Sequence, residues 1–177
     1  WRSYSLPTLT YHESLPGHVW QGEFTFKLPL VRSLHAFNAY SEGWALYAEQ
    51  LADALGVYDG DPYGRLGYLQ SIAFRAWRLV VDTGLHAKRW TREQAIQWFA
   101  ETNGSGLDEV TSEVDRYCAW PGQACGYKVG HSEINRLRAS AQQISYGPAR
   151  KSSMAEEIIY KDGKTVMAPH LPTAPEN

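Results

Sequence analysis

The sequence predicts a mainly α-helical chain with a short β-hairpin in its C-terminal tail. Three observations carry that reading. Apolar residues recur at three- and four-residue intervals through most of residues 1–143. Capping signals stand where those runs begin. Only around Asp162-Gly163 does the period fall to two. A first helix covers His12-Glu13, breaks at Pro16-Gly17 and resumes through Trp20 and Phe24 until Pro29. A second runs from about Asn38 to Leu55, where Gly56 stops it; Ser41 is its expected N-cap, with Trp44, Leu46, Tyr47 and Leu51 as apolar contacts. Asp61-Pro62 pairs an N-cap with a first-turn proline and opens a long helix through Leu66, Leu69, Ile72, Trp77 and Val80 toward His86. Thr91-Arg92-Glu93-Gln94 is a capping box, and its helix passes Ile96 and Phe99 before breaking at residues 103–106. Another helix covers Val110 to Tyr117, and Pro121 starts a last one through Tyr127, Ile134 and Leu137. Residues 1–143 thus read as one helical domain and residues 144–177 as a divergent tail. Within the tail, alternation around Asp-Gly predicts a hairpin over 157–167, followed by a Pro-rich end. A lone hairpin is marginal in water, so it is expected to pack on something.

Composition narrows the function classes. A chain of 177 residues suffices for one compact domain. A net charge of −2, with Lys and Arg scattered, argues against nucleic acid as a partner. No apolar run approaches membrane-spanning length. Cys118 and Cys125 lie seven apart, which two helical turns stretch to about 10 Å, too far for a disulfide. They read as small buried residues, and His35, His131 and His170 as surface or loop residues.

The chemistry sits in Tyr11-His12-Glu13-Ser14-Leu15-Pro16-Gly17-His18 and, downstream, Ser41-Glu42-Gly43-Trp44. The familiar His-Glu-x-x-His motif puts two imidazoles one helical turn apart on a single metal ion. Here the spacing is wider by two. Positions six apart differ by about 240° around a regular helix, so His12 and His18 cannot share a face of one. Pro16 and Gly17 supply the remedy, because proline removes a helical N–H and glycine accepts backbone angles that other residues avoid. A turn there swings His18 back toward His12. Glu42 is the natural third ligand, and two histidines with one carboxylate leave a position open on a catalytic zinc. Glu13, beside a ligand, is the expected base for the water that zinc acidifies.

The segments HESLPGHVWQ, SEGWALYAEQL, RAWRLVVDTGLHAKRW and EVDRYCAWPGQACGYKVG resemble the C-terminal part of the bacterial DUF885 family, collinearly from about Trp1 to Gln143. That family is similar to zinc peptidases of the gluzincin type. The resemblance implies the catalytic portion of a multi-helix, zincin-like metallopeptidase that uses Zn2+ to hydrolyse a peptide or small peptide-like substrate. Val19 departs from the pattern, which usually has a further histidine there, and the tail after Gln143 departs more strongly. A start at Trp1, eleven residues ahead of His12, reads as a piece of a larger assembly that an upstream segment or another chain completes.

Peptide hydrolysis also needs a donor for the oxyanion. Peptidases of the resembled type often use a tyrosine or histidine, which makes Tyr127 the first choice here and Tyr117 the second. Asp82 and His86 share a helical face, so Asp82 could turn the imidazole toward a cleft. Arg75 and Arg78 could grip a substrate carboxylate. Glu49, on the same helix as Glu42, could hold a histidine ligand from behind. A structural ion pair or helix-end contact accounts for His86, Arg75 and Arg78 at least as well, and a glutamate placed like Glu49 is more often simply solvated. Two other functions fit the motif. One is a metal-binding fragment or assembly module without catalysis. The other is a non-haem iron oxidoreductase, since two histidines and a carboxylate also ligate iron. Glu13 beside His12 and the wholly helical setting argue against iron.

Overall fold

Local signals set most helix boundaries in the computed structural model, which describes residues 3–34, 37–146, 158–161 and 164–167. Helix α1 (Leu6–Glu13) carries Pro7 in its first turn, where a missing N–H costs nothing. It stops at Ser14, and after a turn through Leu15-Pro16-Gly17, α2 (His18–Thr25) begins. The break therefore falls where Pro-Gly predicts it. Helix α2 ends at Thr25, ahead of the expected stop at Pro29, whose carbonyl instead accepts from the Arg32 and Ser33 amides and opens the short α3 (Leu30–Leu34), which the sequence pattern did not reveal.

Helix α4 (Asn38–Ala54) begins earlier than its expected cap. Phe37 holds the N-cap position and Ser41 lies inside the helix. Helix α5 (Pro62–Lys88) starts as predicted, with the Asp61 carboxylate accepting from the Gly64 amide at 2.9 Å. It ends at Arg89, which turns left-handed at φ 58°. Both bonds of the Thr91–Gln94 capping box form at the head of α6 (Arg92–Asn103), and Gly104 closes it at φ 66°. Helix α7 (Leu107–Ala119) follows. Pro121 does not open the last helix: Gly122 turns left-handed, a 3-10 turn covers Gln123–Cys125, and α8 (Gly126–Tyr146) starts beyond it. In the tail, β1 (Ile158–Lys161) pairs antiparallel with β2 (Lys164–Met167) in a register from Ile158–Met167 to Lys161–Lys164. The Asp162-Gly163 turn, residue 157 and the Pro-rich end expected there lie outside the described residues. The fold is mainly helical, and no helix among the described residues is long and apolar enough to cross a membrane.

Two packing centres organise the helices. The first is an aromatic core between α5, α6 and α7. Phe74 and Val81 meet Ala95, Phe99, Val110, Val114 and Tyr117, all buried. Phe74 and Phe99 lie 4.8 Å apart between ring centroids, and Trp77 and Trp90 flank Trp98 at 5.4 and 5.6 Å. Each such buried side chain contributes roughly 1.5–3 kcal/mol relative to exposure.

The second centre is the long contact between α4 and α8. Asn38 bonds the Gln123 carbonyl just ahead of α8, Gly43 touches Gly130, and Gln50 bonds Asn135. Partners advance in the same direction along both helices, so the two run parallel. Their backbones touch: a Cβ on Gly130 would collide with the Ala39 carbonyl, and one on Gly43 would lie 2.5 Å from the Gly130 carbonyl carbon. In this seam His131 is buried at 7% exposure, not on the surface as its sequence context suggested. Its Nε2–H donates to Gln50 at 2.6 Å and its Nδ1 accepts from Lys128 at 3.0 Å. The cysteines also differ from expectation: Cys118 is exposed, Cys125 half-buried, and both are free thiols.

Candidate metal centre

The Pro16-Gly17 turn does what the spacing of the two histidines requires. A Cβ at position 17 would run into the His12 and Tyr11 carbonyls, so only glycine lets the chain fold back this tightly against α1. Trp44 fixes the turn from α4, its indole N–H donating to the Pro16 carbonyl at 2.9 Å. The His12 and His18 rings then stand edge to face, 5.0 Å between centroids. Glu42 Oε2 lies 3.5 Å from His12 Nε2 and 3.4 Å from His18 Nε2. One ligand atom from each of the three residues falls within 4.8 Å of the others. The three residues expected to bind metal are thus brought together by α1, α2 and α4.

The residues behind the histidines determine which nitrogens carry protons. Glu49 is fully buried, and its Oε1 lies 2.7 Å from His12 Nδ1. A carboxylate only accepts, so Nδ1 holds the hydrogen and the Nε2 lone pair faces Glu42. The other Glu49 oxygen accepts from Ser71 at 2.6 Å, and Arg75 donates to that same hydroxyl at 2.7 Å. For His18 the argument runs through Gln21. The Gln21 amide nitrogen donates to the Tyr40 carbonyl at 3.2 Å, so its Oε1 is the atom facing His18 Nδ1 at 3.3 Å. His18 Nδ1 therefore donates, and its Nε2 lone pair also turns toward Glu42.

Two imidazole lone pairs and a carboxylate consequently converge with no donor between them. Such a set repels itself unless cations are added. In the metal-free protein those cations are protons. Burial works against charge on His12, but hydrogen bonds to Glu42 and Glu49 hold its pKa above the ordinary 6.5. The bond to Glu42 raises that of His18 against partial burial. Glu42 is itself partly buried, yet the two histidines hold it far below the usual carboxylate range. The set also fits a tetrahedral ion. Bonds of about 2.0–2.1 Å place neighbouring donor atoms about 3.3–3.4 Å apart, close to the separations from Glu42 to the two nitrogens.

The remaining candidates are distributed as follows. Glu13 ends α1 and is exposed. Tyr127 lies almost parallel to the His12 ring at 6.5 Å, with the Arg78 guanidinium 4.4 Å from the centroid of its own ring, and its hydroxyl has no hydrogen-bond partner among the described residues. Tyr117 sits one layer deeper. Its hydroxyl accepts from Arg78 at 3.0 Å and donates to Glu113 at 2.6 Å, and burial pushes its pKa well up. His86 is engaged by the Tyr117 carbonyl at 3.0 Å. Asp82 does not orient it; both its oxygens accept from the Gly122 amide. Burial and the adjacent Asp82 push the Cys125 thiol up to about 11. Sequence reasoning missed Gln21, Ser71 and the indole of Trp44. Gln21 was detectable, standing three residues after His18 on one helix. Ser71 carried no signal, because only the fold brings α5 to Glu49.

Comparison with known proteins gives the family and the fold of the chain. Residues 1–151 match the family described as "Bacterial protein of unknown function (DUF885)". The chain belongs to the DUF885 family. The match runs past Gln143, where the sequence resemblance weakened. Two solved structures share the fold. A candidate lipoprotein from Colwellia psychrerythraea is 52% identical with a TM-score of 0.78, over 87% of this chain and 26% of that one. A candidate lipoprotein of unknown function from Shewanella oneidensis is 27% identical with a TM-score of 0.76, over 84% of this chain and 28% of that one. The chain thus spans about a quarter of the length of these two relatives. No curated protein matches it.

Proposed function

We propose that this DUF885 chain carries the metal centre of a zinc-dependent peptide-bond hydrolase of gluzincin-like, zincin-like type. One observation carries the reading: two oriented imidazole lone pairs converge with the Glu42 carboxylate, which stands 3.4 and 3.5 Å from them, and only a cation reconciles the three. Zinc, when bound, supplies a Lewis acid that polarises a carbonyl and lowers the pKa of a water. His12, His18 and Glu42 hold it, and Glu49 and Gln21 keep the two rings in the binding tautomer.

Glu13 serves as general base. It stands next to a ligand, at the exposed end of α1, where water and a peptide have access. Tyr127 donates to the developing oxyanion. Its hydroxyl is uncommitted, whereas that of Tyr117 is spent on Glu113, and this selects between the two tyrosines. The peptide lies along the open side, where His18 and Glu42 reach solvent. A further segment or another chain forms the opposite wall.

Metal analysis with an anomalous scattering map and a peptide-cleavage assay tests the proposal. The expected result is one zinc on His12, His18 and Glu42. Glu13→Gln retains the metal and loses at least about 100-fold in turnover, the weight of a general base. His12→Ala loses both metal and turnover. An iron edge with dioxygen-dependent turnover, or full turnover in Glu13→Gln, would overturn the assignment.

A further inference from the structure

Beside the metal centre lies a cavity of about 590 Å³ whose wall includes Leu9, Glu49, Ser71, Arg75 and Arg78. Three of these residues tie it to the centre. Glu49 holds His12 from behind, Arg78 stacks on Tyr127, and Leu9 stands one turn before Glu13 on the same face of α1. The two arginines of its wall also hold donors without partners among the described residues. Arg78 is 7% exposed, and its Nη1 is buried with no partner among the described residues. Arg75 gives one nitrogen to Ser71, yet its Nε is buried without a partner and it pairs with no carboxylate among the described residues.

The carboxylates of the wall do not fill this gap. Glu113 is already neutralised by Arg78 and Arg116 and bonded by Tyr117, and Glu49 is taken up by His12 and Ser71. Glu109, the remaining acidic group of the wall, is exposed. Two buried guanidinium N–H groups without acceptors are costly unless a ligand supplies oxygens. A carboxylate is an acceptor to which guanidinium N–H groups form strong, charge-assisted bonds.

We infer that this cavity binds the C-terminal carboxylate of the peptide through Arg75 and Arg78, so that the site cleaves near the free C-terminus. The inference rests on the hydrolase reading and adds the substrate class to it. Leu9 and Glu13 mark the path from the anchored end to the scissile bond. Side-chain carboxylates share the chemistry, and the test separates the two sources.

The test uses the natural full-length protein loaded with zinc and N-acetylated Ala-Ala-Phe as free acid and as amide. Cleavage kinetics and calorimetric binding are both measured. The amide is expected to show a KM and a Kd about 10–100-fold higher than the acid, the range for losing a charged hydrogen-bonded partner. Arg75→Gln removes this discrimination with zinc content unchanged, and Arg75→Lys restores part of it. Arg75 is chosen because Arg78 also holds Glu113 and Tyr117, so its loss endangers the fold.

Equal KM and Kd for acid and amide would overturn the carboxylate site and leave the hydrolase standing, as would discrimination that persists in Arg75→Gln. An amidated peptide ending in glutamate that binds as tightly as the free acid would overturn the terminal assignment. Tighter binding of the acid, abolished in Arg75→Gln, with no cleavage of any peptide would keep the carboxylate site and sink the hydrolase.

Discussion

The buried polar residues of this chain divide by what their burial requires of them. Glu49, with no exposure at all, is tolerable as a carboxylate because His12, Ser71 and the nearby Arg75 surround it. His131 represents the opposite solution, burial in the neutral state. Burial and the neighbouring Lys128 push its pKa down to about 4, while Glu49 opposes the shift; Gln50 and Asn135, the other groups on the ring, are uncharged. The sign of the resulting pH dependence follows. In the unfolded chain His131 takes up a proton near its ordinary 6.5, whereas in the fold it resists until about pH 4. Its contribution is therefore complete above 6.5 and is lost as pH falls from there toward 4. His131→Gln should accordingly be less stable than wild type at pH 7.5, with the gap in urea midpoint narrowing or reversing by pH 4.5. A gap that stays constant would show that His131 is not held neutral. Residues with chemistry of their own were legible at this scale: His12, His18 and Glu42 stood out by type and spacing, while Glu49 on the same helix as Glu42 read as readily as a solvated side chain. Residues that act by holding others, such as Ser71, were not, because their spacing in the chain has no relation to their spacing in the fold.

At the scale of elements, the fold depends most on how closely α4 and α8 approach. Parallel helices usually pack 8–10 Å apart between axes, with side chains between them. Here Gly43 and Gly130 remove those side chains and let backbone meet backbone. The approach matters for the site, since α4 carries Glu42 and Glu49 while α8 carries Tyr127. Gly130→Ala should cost about 3 kcal/mol, the upper part of the overpacking range, because its Cβ meets a carbonyl that cannot move aside. Gly104→Ala is the control: that glycine faces open space at φ 66°, so only the left-handed penalty of about 1–2 kcal/mol applies. Denaturant midpoints distinguish the two, and equal losses would mean that the crossing is looser than the backbone contact indicates. Helix existence was readable from caps, as at Asp61 and Thr91, whose side chains make the predicted bonds. Starts resting on one residue were not. Ser41 was overtaken because α4 begins at Asn38, whose side chain is held by Gln123. Pro121 was displaced by the Gly122 turn. In both cases a tertiary contact or a left-handed glycine outweighed a local preference.

Across the whole molecule, the aromatic core of α5, α6 and α7 and the site that α1, α2 and α4 assemble are two centres that differ in what holds them. The α5–α7 centre is closed by aromatic contacts and would persist without the metal. The α1–α2–α4 centre encloses three helices around a group of mutually repelling acceptors. Helix α2 is the least anchored of these, packing on α4 and α1 while Phe24 and Phe26 remain exposed. Sequence periodicity showed that each helix had an apolar face but could not show which faces meet, so this division was not legible beforehand. Zinc binding should therefore stabilise the molecule unevenly. An ion present at about 1,000 times its Kd adds about 4 kcal/mol to the folded state. Local opening that frees His18 forfeits that gain, whereas opening within α6 does not. Amide hydrogen exchange before and after chelation provides the measurement. With zinc removed, amides of α2 from Gln21 to Thr25 should lose protection by about two to three orders of magnitude, the equivalent of that stabilisation. Those of α6 around Phe99 should change little at the same pH. Uniform loss across all helices would mean that the two centres unfold as one unit. Unchanged exchange in α2 would mean that the ion, if bound, does not join these three helices, and the convergence of His12, His18 and Glu42 would then need another cause.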